Sequence, residues 1–307
     1  MFIQGMKAAL IGVVAAFAAL PALAADITVK HAQGETVLPG KPAKIVVFDL
    51  VSLDTLKTLG VTGIVGVPSG NKPDYLADFA GGKVPEAGTL FEPNFEAVAA
   101  AEPDLIIVGG RSAPKYADLA KIAPTIDMTI DAQRFLASAE DNVRTLATVF
   151  GKQTEAETLI GKLNASTAAL REKAPAAGKT LFILTTGGKL SAYGAGSRFG
   201  LVHSDFNFAP ADETIKPGNH GQPVSFEYIL ERNPDTLLVL DRDAAIGQEA
   251  DGEAAAKLLD NEIVRQTEAW KNGKVVYVSG VLWYLVPGGL TSMQMVVDEL
   301  VAALGKG

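Results

Sequence analysis

The chain contains no cysteine and only three histidines among its 307 residues. Without cysteine there is no disulfide, no thiolate metal site and no lipid anchor attached through an N-terminal cysteine. Basic residues are also in short supply. Lys and Arg number 27 against 35 Asp and Glu, a net charge of −8, which argues against nucleic acid and against an anionic membrane surface as partners. A small anion held by a few arginines in a cleft is still compatible with that balance. Enzyme signatures are missing as well. Gly194, Gly196 and Gly200 miss the dinucleotide-binding spacing by one residue, and the chain has no phosphate-loop lysine, no nucleophile elbow and no nucleophile–base constellation. The expectation is a binding protein with no tightly held cofactor, not an enzyme.

The N-terminus sets the compartment. Lys7 precedes a short apolar run over residues 8–20, and Ala22-Leu23-Ala24 offers small residues where a signal peptidase reads. This is the secretory pattern. The run is too short for a good membrane span, which needs about 20 apolar residues. Residues 1–24 are therefore expected to be a signal peptide and the mature chain to begin at Ala25 or Asp26, free in solution in the periplasm. An exported chain without disulfides must rely on packing, and what remains is long enough for one large or two medium cores.

From Lys44 onward, short apolar runs alternate with helical patterns. The runs at 45–48, 64–67, 105–108 and 125–130 predict strands, and 52–59 and 116–122 predict helices, the first closed by Gly60. Residues 26–38 predict an outer hairpin with Gly34 at its turn. Two long helices follow at 135–150 and 155–173, the second ended by Pro175 and Gly178. The strand pattern then resumes at 180–185, 190–193, 236–240 and 275–278, and a helix over 293–304 closes the chain. Strands alternating with helices predict α/β structure with mainly parallel sheets.

An internal repeat organises this pattern. Residues 95–111 align without a gap on residues 226–242: a Phe-Glu helix start, a Pro-Asp turn (Pro103-Asp104, Pro234-Asp235), a buried strand and an arginine. Two lobes of one fold follow, at 26–151 and 178–307, with a linker helix over 152–175. In open α/β sheets ligands bind beyond the carboxyl ends of the strands. Arg111 and Arg242 both fall just past such ends, and Arg198 follows the Gly194-Ala195-Gly196 turn. Any one of them could be a surface ion-pair residue. Together they favour a cationic cleft suited to carboxylate or other oxyanion groups.

Of the histidines, His31 falls in the hairpin and His203 reads as a packed helix residue. His220 lies among breakers and polar residues, in Lys216-Pro217-Gly218-Asn219-His220-Gly221, with no core to fill. Tyr284 lies in a second irregular segment between the last strand and the last helix. Imidazole and phenolate are suitable donors for a ferric ion, although ordinary loop residues would look the same.

The segments Ser197-Arg198-Phe199-Gly200, His220-Gly221, 226–235, Asp241-Arg242 and Trp283-Tyr284-Leu285 resemble those of the periplasmic ferric-siderophore-binding proteins of the CeuE type, class III solute-binding proteins of ABC importers. The similarity runs from about Ile27 to the C-terminus. It implies two α/β lobes joined by one long rigid helix, and a monomer. It implies a ferric siderophore as ligand, of catecholate type and including tetradentate bis-catecholates, handed to an inner-membrane permease. The implied iron ligands are His220 and Tyr284. Arg111, Arg198 and Arg242 would bond the catecholate oxygens. The family's lysine, three residues after the first arginine, meets Pro114 here, with Lys115 next. Glu96 and Glu227 would dock one lobe each on the permease. Haem, a corrinoid or a hydroxycarboxylate chelate are the alternative ligands of the same fold.

Overall fold

The computed structural model describes residues 25–248 and 254–305, so the expected signal segment lies outside the described residues. The chain opens with an antiparallel hairpin, β1 (Ile27–His31) and β2 (Gly34–Leu38). A four-stranded sheet follows, built from β3 (Ile45–Val47), β4 (Ile64–Gly66), β5 (Leu105–Val108) and β6 (Thr125–Asp127) in the order β4-β3-β5-β6 and parallel throughout. Its helices are α1 (Leu50–Thr58), α2 (Phe95–Ala100), α3 (Tyr116–Leu119) and α4 (Phe135–Phe150). The central strands β3 and β5 are buried on both faces, which is why they read as unbroken apolar runs. Ile45, Val47, Leu105 and Ile107 face α1 and α4, while Val46, Phe48, Ile106 and Val108 face Val98 of α2 and Leu119 of α3.

Helix α5 (Gln153–Lys173) leads into the second sheet. That sheet comprises β7 (Lys179–Thr186), β8 (Lys189–Tyr193), β9 (Ala209–Pro210), β10 (Gln222–Val224), β11 (Thr236–Asp241) and β12 (Val275–Val278). The path is β10-β8-β7-β11-β12, with β9 beside β7. It is accompanied by α6 (Leu201–Ser204), α7 (Phe226–Arg232), α8 (Arg242–Ala245), α9 (Ala255–Leu259), α10 (Glu268–Lys271) and the closing α11 (Leu290–Leu304). Here β8 alone is reversed, antiparallel to both of its neighbours, β7 and β10. The cause is local: Gly187 and Gly188 both take positive φ, 52° and 73°, and turn β7 straight back as a hairpin. The first lobe has a helix, α1, at the matching place.

The repeat is present in the backbone. Glu102 and Asn233 occupy equivalent positions and both adopt left-handed φ, 45° and 41°. The aspartates that follow do the same work. Asp104 Oδ2 accepts from the amides of Ala43 and Lys44 at 2.9 and 2.8 Å, and Asp235 Oδ2 accepts from the amide of Lys179 at 2.8 Å. Each Pro-Asp turn thus ties the entry of its central strand to the entry of the neighbouring one. Several sequence expectations shorten. The strand expected over 125–130 stops at Asp127, whose Oδ1 accepts the amide of Thr129 at 2.9 Å and ends the ladder. The helix expected over 116–122 is regular only to Leu119.

Helix α5 is not the only join between the lobes. Helix α11 packs along α5 and against α1. At its start, Asp54 of α1, fully buried, accepts from the amides of Thr291 and Ser292 at 3.1 and 2.9 Å, and Tyr75 donates to the same carboxylate at 3.0 Å. Burial and the Asp54 charge push the Tyr75 phenol well above its usual range, which keeps it a donor. Gly289 is required beside it, because a Cβ there would collide with the Asp54 carboxylate. A side chain of one lobe therefore caps the closing helix of the other.

Candidate functional site

The carboxyl ends of β5 and β11 carry Arg111 and Arg242, and the loop after β8 carries Arg198. All three converge on Tyr284. Arg111 and Arg198 each donate an Nη2–H to the Tyr284 carbonyl oxygen, at 2.7 and 3.0 Å, and Arg242 Nε donates to the Tyr284 hydroxyl at 3.1 Å. The guanidinium carbons lie 4.2 Å (Arg198), 4.9 Å (Arg111) and 5.7 Å (Arg242) from the centre of the phenol ring. Arg111 reaches Tyr284 from the opposite lobe. Asn71 Nδ2 also reaches across the lobes, to the Ala245 carbonyl at 2.9 Å.

Tyr284 stands on a single π-helical turn, Val281–Leu285, closed by an i→i+5 bond from the Val286 amide to the Val281 carbonyl at 3.3 Å. Such turns are rare and concentrate at functional sites. This one sits astride the two cores. Leu282 and Trp283 pack into the core of the second lobe, and Leu285 and Val286 into that of the first. Tyr284, half-buried between them, faces the arginines. Beneath it an aromatic floor is formed by Phe182, Phe199, Tyr193 and Trp283, with ring centres 4.8 to 5.3 Å apart in consecutive pairs, and Arg198 also covers Phe199 at 5.1 Å.

The electrostatics favour an anion at this place. Asp243 neutralises part of Arg242 at 3.3 Å. Burial and the Arg198 charge push the Arg111 guanidinium down from its usual range, although arginine keeps its proton in proteins. Burial alone would raise the Tyr284 phenol, but the Arg242 hydrogen bond and the Arg198 charge outweigh it and hold the group at about 8. An ordinary tyrosine titrates near 10. Because the folded value is the lower one, this group's contribution to stability is complete above about pH 10 and is lost as pH falls through about 8. An ultraviolet titration of the ligand-free protein is expected to show a one-tyrosine step near pH 8 that Tyr284→Phe removes. A wild-type curve with no step below pH 9 would contradict this.

Other candidates lie elsewhere. His220 is exposed on the loop before β10, and among the described residues no hydrogen bond ties it to the arginine cluster. Its loop does meet the Arg198 loop, through the Arg198 amide and the Gly218 carbonyl at 3.3 Å. Gly221 holds φ 68° against the Tyr193 ring, where a side chain would collide. Lys115 pairs with Glu92 at 2.7 Å and, among the described residues, makes no bond to the cluster. Glu96 and Glu227 are exposed in the first turns of α2 and α7. Each helix is capped just ahead of them, by Asn94 and Ser225. Helix α7 is further pinned through buried Asp212, which accepts from Tyr228 at 2.6 Å and from Arg232 at 2.7 Å. Sequence reading missed Glu299, whose carboxylate receives the Trp283 indole N–H at 2.9 Å, and Asn71. Neither stands in a pattern that would single it out.

Residues 45–281 match the family model described as periplasmic binding protein. The petrobactin-binding protein YclQ of Bacillus subtilis (strain 168) is 40% identical over 285 residues, covering 92% of this chain and 89% of that protein. Its crystal structure superposes with a TM-score of 0.88 at 39% identity, over 92% of this chain and 100% of that one. The periplasmic catecholate-siderophore-binding protein VctP of Vibrio cholerae gives 0.85 at 34% identity, over 91% and 100%. The ferric-anguibactin-binding protein FatB of Vibrio anguillarum (strain ATCC 68554 / 775) is 31% identical, over 91% of this chain and 88% of that protein.

Proposed function

The chain belongs to the periplasmic binding protein family, and from that premise we propose that it is the solute-binding component of an ABC importer, carrying a ferric siderophore of the catecholate class to the permease. The observation that carries this reading is the convergence of three guanidinium groups from two lobes on one low-pKa phenol. Ferric catecholates are anionic, and burying that charge unpaired would be costly. The arginines supply planar donors for catecholate oxygens. Two catecholates give iron four oxygens and leave two positions for Tyr284 and His220. Iron binding requires the phenol to lose its proton, and a phenol held at about 8 yields it far more readily than an ordinary one. The relatives' names point the same way, to petrobactin, anguibactin and catecholate siderophores.

The protein is exported through residues 1–24, works free in the periplasm as a monomer, and catalyses no reaction. Lys115 is paired with Glu92 and would reach a ligand only by leaving that pair. Ferric tetradentate and hexadentate catecholates, titrated while Trp emission is followed, test the ligand class. Quenching with a visible charge-transfer band supports it. A Soret band with haem, or binding of ferric citrate alone, would replace it with one of the alternative ligands. His220→Ala is expected to weaken the tetradentate chelate more than the hexadentate one, which leaves iron no open position.

Docking separates from binding. Glu96 and Glu227 project from capped, exposed helix starts, one per lobe. Charge reversal at either, Glu96→Lys or Glu227→Lys, is expected to leave ferric-chelate affinity within twofold of wild type and to cut uptake into cells at least tenfold. Unchanged uptake in the double reversal would remove the docking role.

A further inference from the structure

Tyr284 can face the arginines only if the turn beneath it is held open. A π-helical turn carries one residue more than an α-helical turn, and its closing bond here is long, at 3.3 Å. Something outside the turn must hold it. The carboxylate of Glu299, on α11, spans the turn from below. Its Oε1 accepts the amide of Ser279, ahead of the turn, at 2.7 Å, and its Oε2 accepts the indole N–H of Trp283, the residue before Tyr284, at 2.9 Å. Trp283 is 2% exposed and lies against Phe182 at 5.3 Å, so fixing its indole fixes the direction in which the next side chain leaves the backbone.

We propose that Glu299 is a positioning residue of the binding site, an acceptor-only brace that holds the π turn in the register that presents Tyr284 to the ligand. The chemistry is selective. Both oxygens of the carboxylate face N–H groups, so both positions require an acceptor. Glutamine fills the same volume but offers one acceptor and one NH2 group, and the NH2 must confront an N–H whichever way the amide is turned. A buried donor left without a partner disfavours the native turn. A side chain that merely filled space would tolerate the exchange.

The inference rests on the proposed role of Tyr284, and the test separates the two. Glu299→Gln is expected to bind a ferric bis-catecholate about tenfold more weakly and to weaken the phenolate-to-iron charge-transfer band. In a Trp283→Phe background, where one of the two donors is gone, the same exchange is expected to cost less than twofold. Equal losses in both backgrounds, or wild-type affinity and band in Glu299→Gln, would overturn the proposal. A ligand-free readout runs beside it in protein labelled with 3-fluorotyrosine, where the residue 284 resonance is assigned by its loss in Tyr284→Phe. Glu299→Gln should shift that resonance and move the Trp283 indole N–H resonance upfield. If the wild type binds no ferric catecholate, the ligand reading fails, and these two resonances alone decide the brace: a shift in both upholds it, and no shift sinks it.

Discussion

A Tyr284→Phe variant is expected to bind a ferric bis-catecholate on the order of 100-fold more weakly than the wild type, about 2.7 kcal/mol, and to lose the phenolate part of its visible absorption. Two losses add at this position. The iron loses an oxygen donor and must keep a water in its place. Arg242 loses the acceptor it holds at 3.1 Å and reverts to Thr186 and Asp243, which it already touches at 3.2 and 3.3 Å. The aromatic ring stays, so the stacking of Arg198 and Arg111 on it is kept and the fold should be little affected. The comparison with a hexadentate tris-catecholate decides the mechanism. That chelate fills all six iron positions itself, so Tyr284 could act on it only as a hydrogen-bond partner, and the loss should fall to about tenfold or less. Equal losses for both chelates would show that the phenol acts through the arginines and not on iron. Affinity and spectrum unchanged for the tetradentate chelate would remove Tyr284 from the site.

Most of the fold could be read from the sequence because parallel strands buried on both faces leave a strong local signal. Runs such as Leu105-Ile106-Ile107-Val108 are apolar at every position, and here every one of those positions is buried. The repeat was legible for a further reason. Its Pro-Asp turns carry a backbone task, the Asp104 and Asp235 bonds to a neighbouring strand entry, so the residue type is fixed along with the pattern. The short strands β9 and β10 were not legible: they are two and three residues long, contain proline, and draw their pairing from β7 and β8 rather than from any periodicity of their own. At the site the arginines could be found, since strand ends mark the cleft. That Tyr284 would be the point on which they converge could not, because a π turn depends on tertiary contacts on both sides. The segment from Ser279 to Gly289 reads as irregular; it becomes a defined element through the division of Leu282 and Trp283 from Leu285 and Val286 between two cores and through the Glu299 bonds to Ser279 and Trp283.

Asp54 marks the limit of that local reading and carries the second large effect. It lies among Leu50, Leu53 and Leu56 on a buried helix, where a carboxylate has no local reason to be. Two of its partners, the amides of Thr291 and Ser292, are more than 200 residues away in sequence. Asp54→Ala is expected to destabilise the protein by about 3–5 kcal/mol, because three donors, at roughly 1–3 kcal/mol each, lose their acceptor. At about 2–4 °C per kcal/mol for a chain of this size class, the thermal midpoint should fall by roughly 10 °C. The variant leaves the amides of Thr291 and Ser292 and the Tyr75 hydroxyl facing a cavity, and unpaired donors at a buried helix start cannot turn to water. Asp54→Asn is nearly isosteric and is expected to recover less than half the loss, since its NH2 group must face the amide of Thr291 or that of Ser292. Because these bonds join α1 of one lobe to α11 of the other, the loss should also separate the lobes in unfolding. Wild type is expected to lose Trp emission and far-ultraviolet signal together in urea, and Asp54→Ala to lose them at different concentrations. A fall below 1 kcal/mol with coincident transitions would show that α5 and the shared apolar packing hold the lobes without this cap. The expected result instead makes the cleft a site whose two arginine-bearing walls are set by a buried carboxylate, before any ligand arrives.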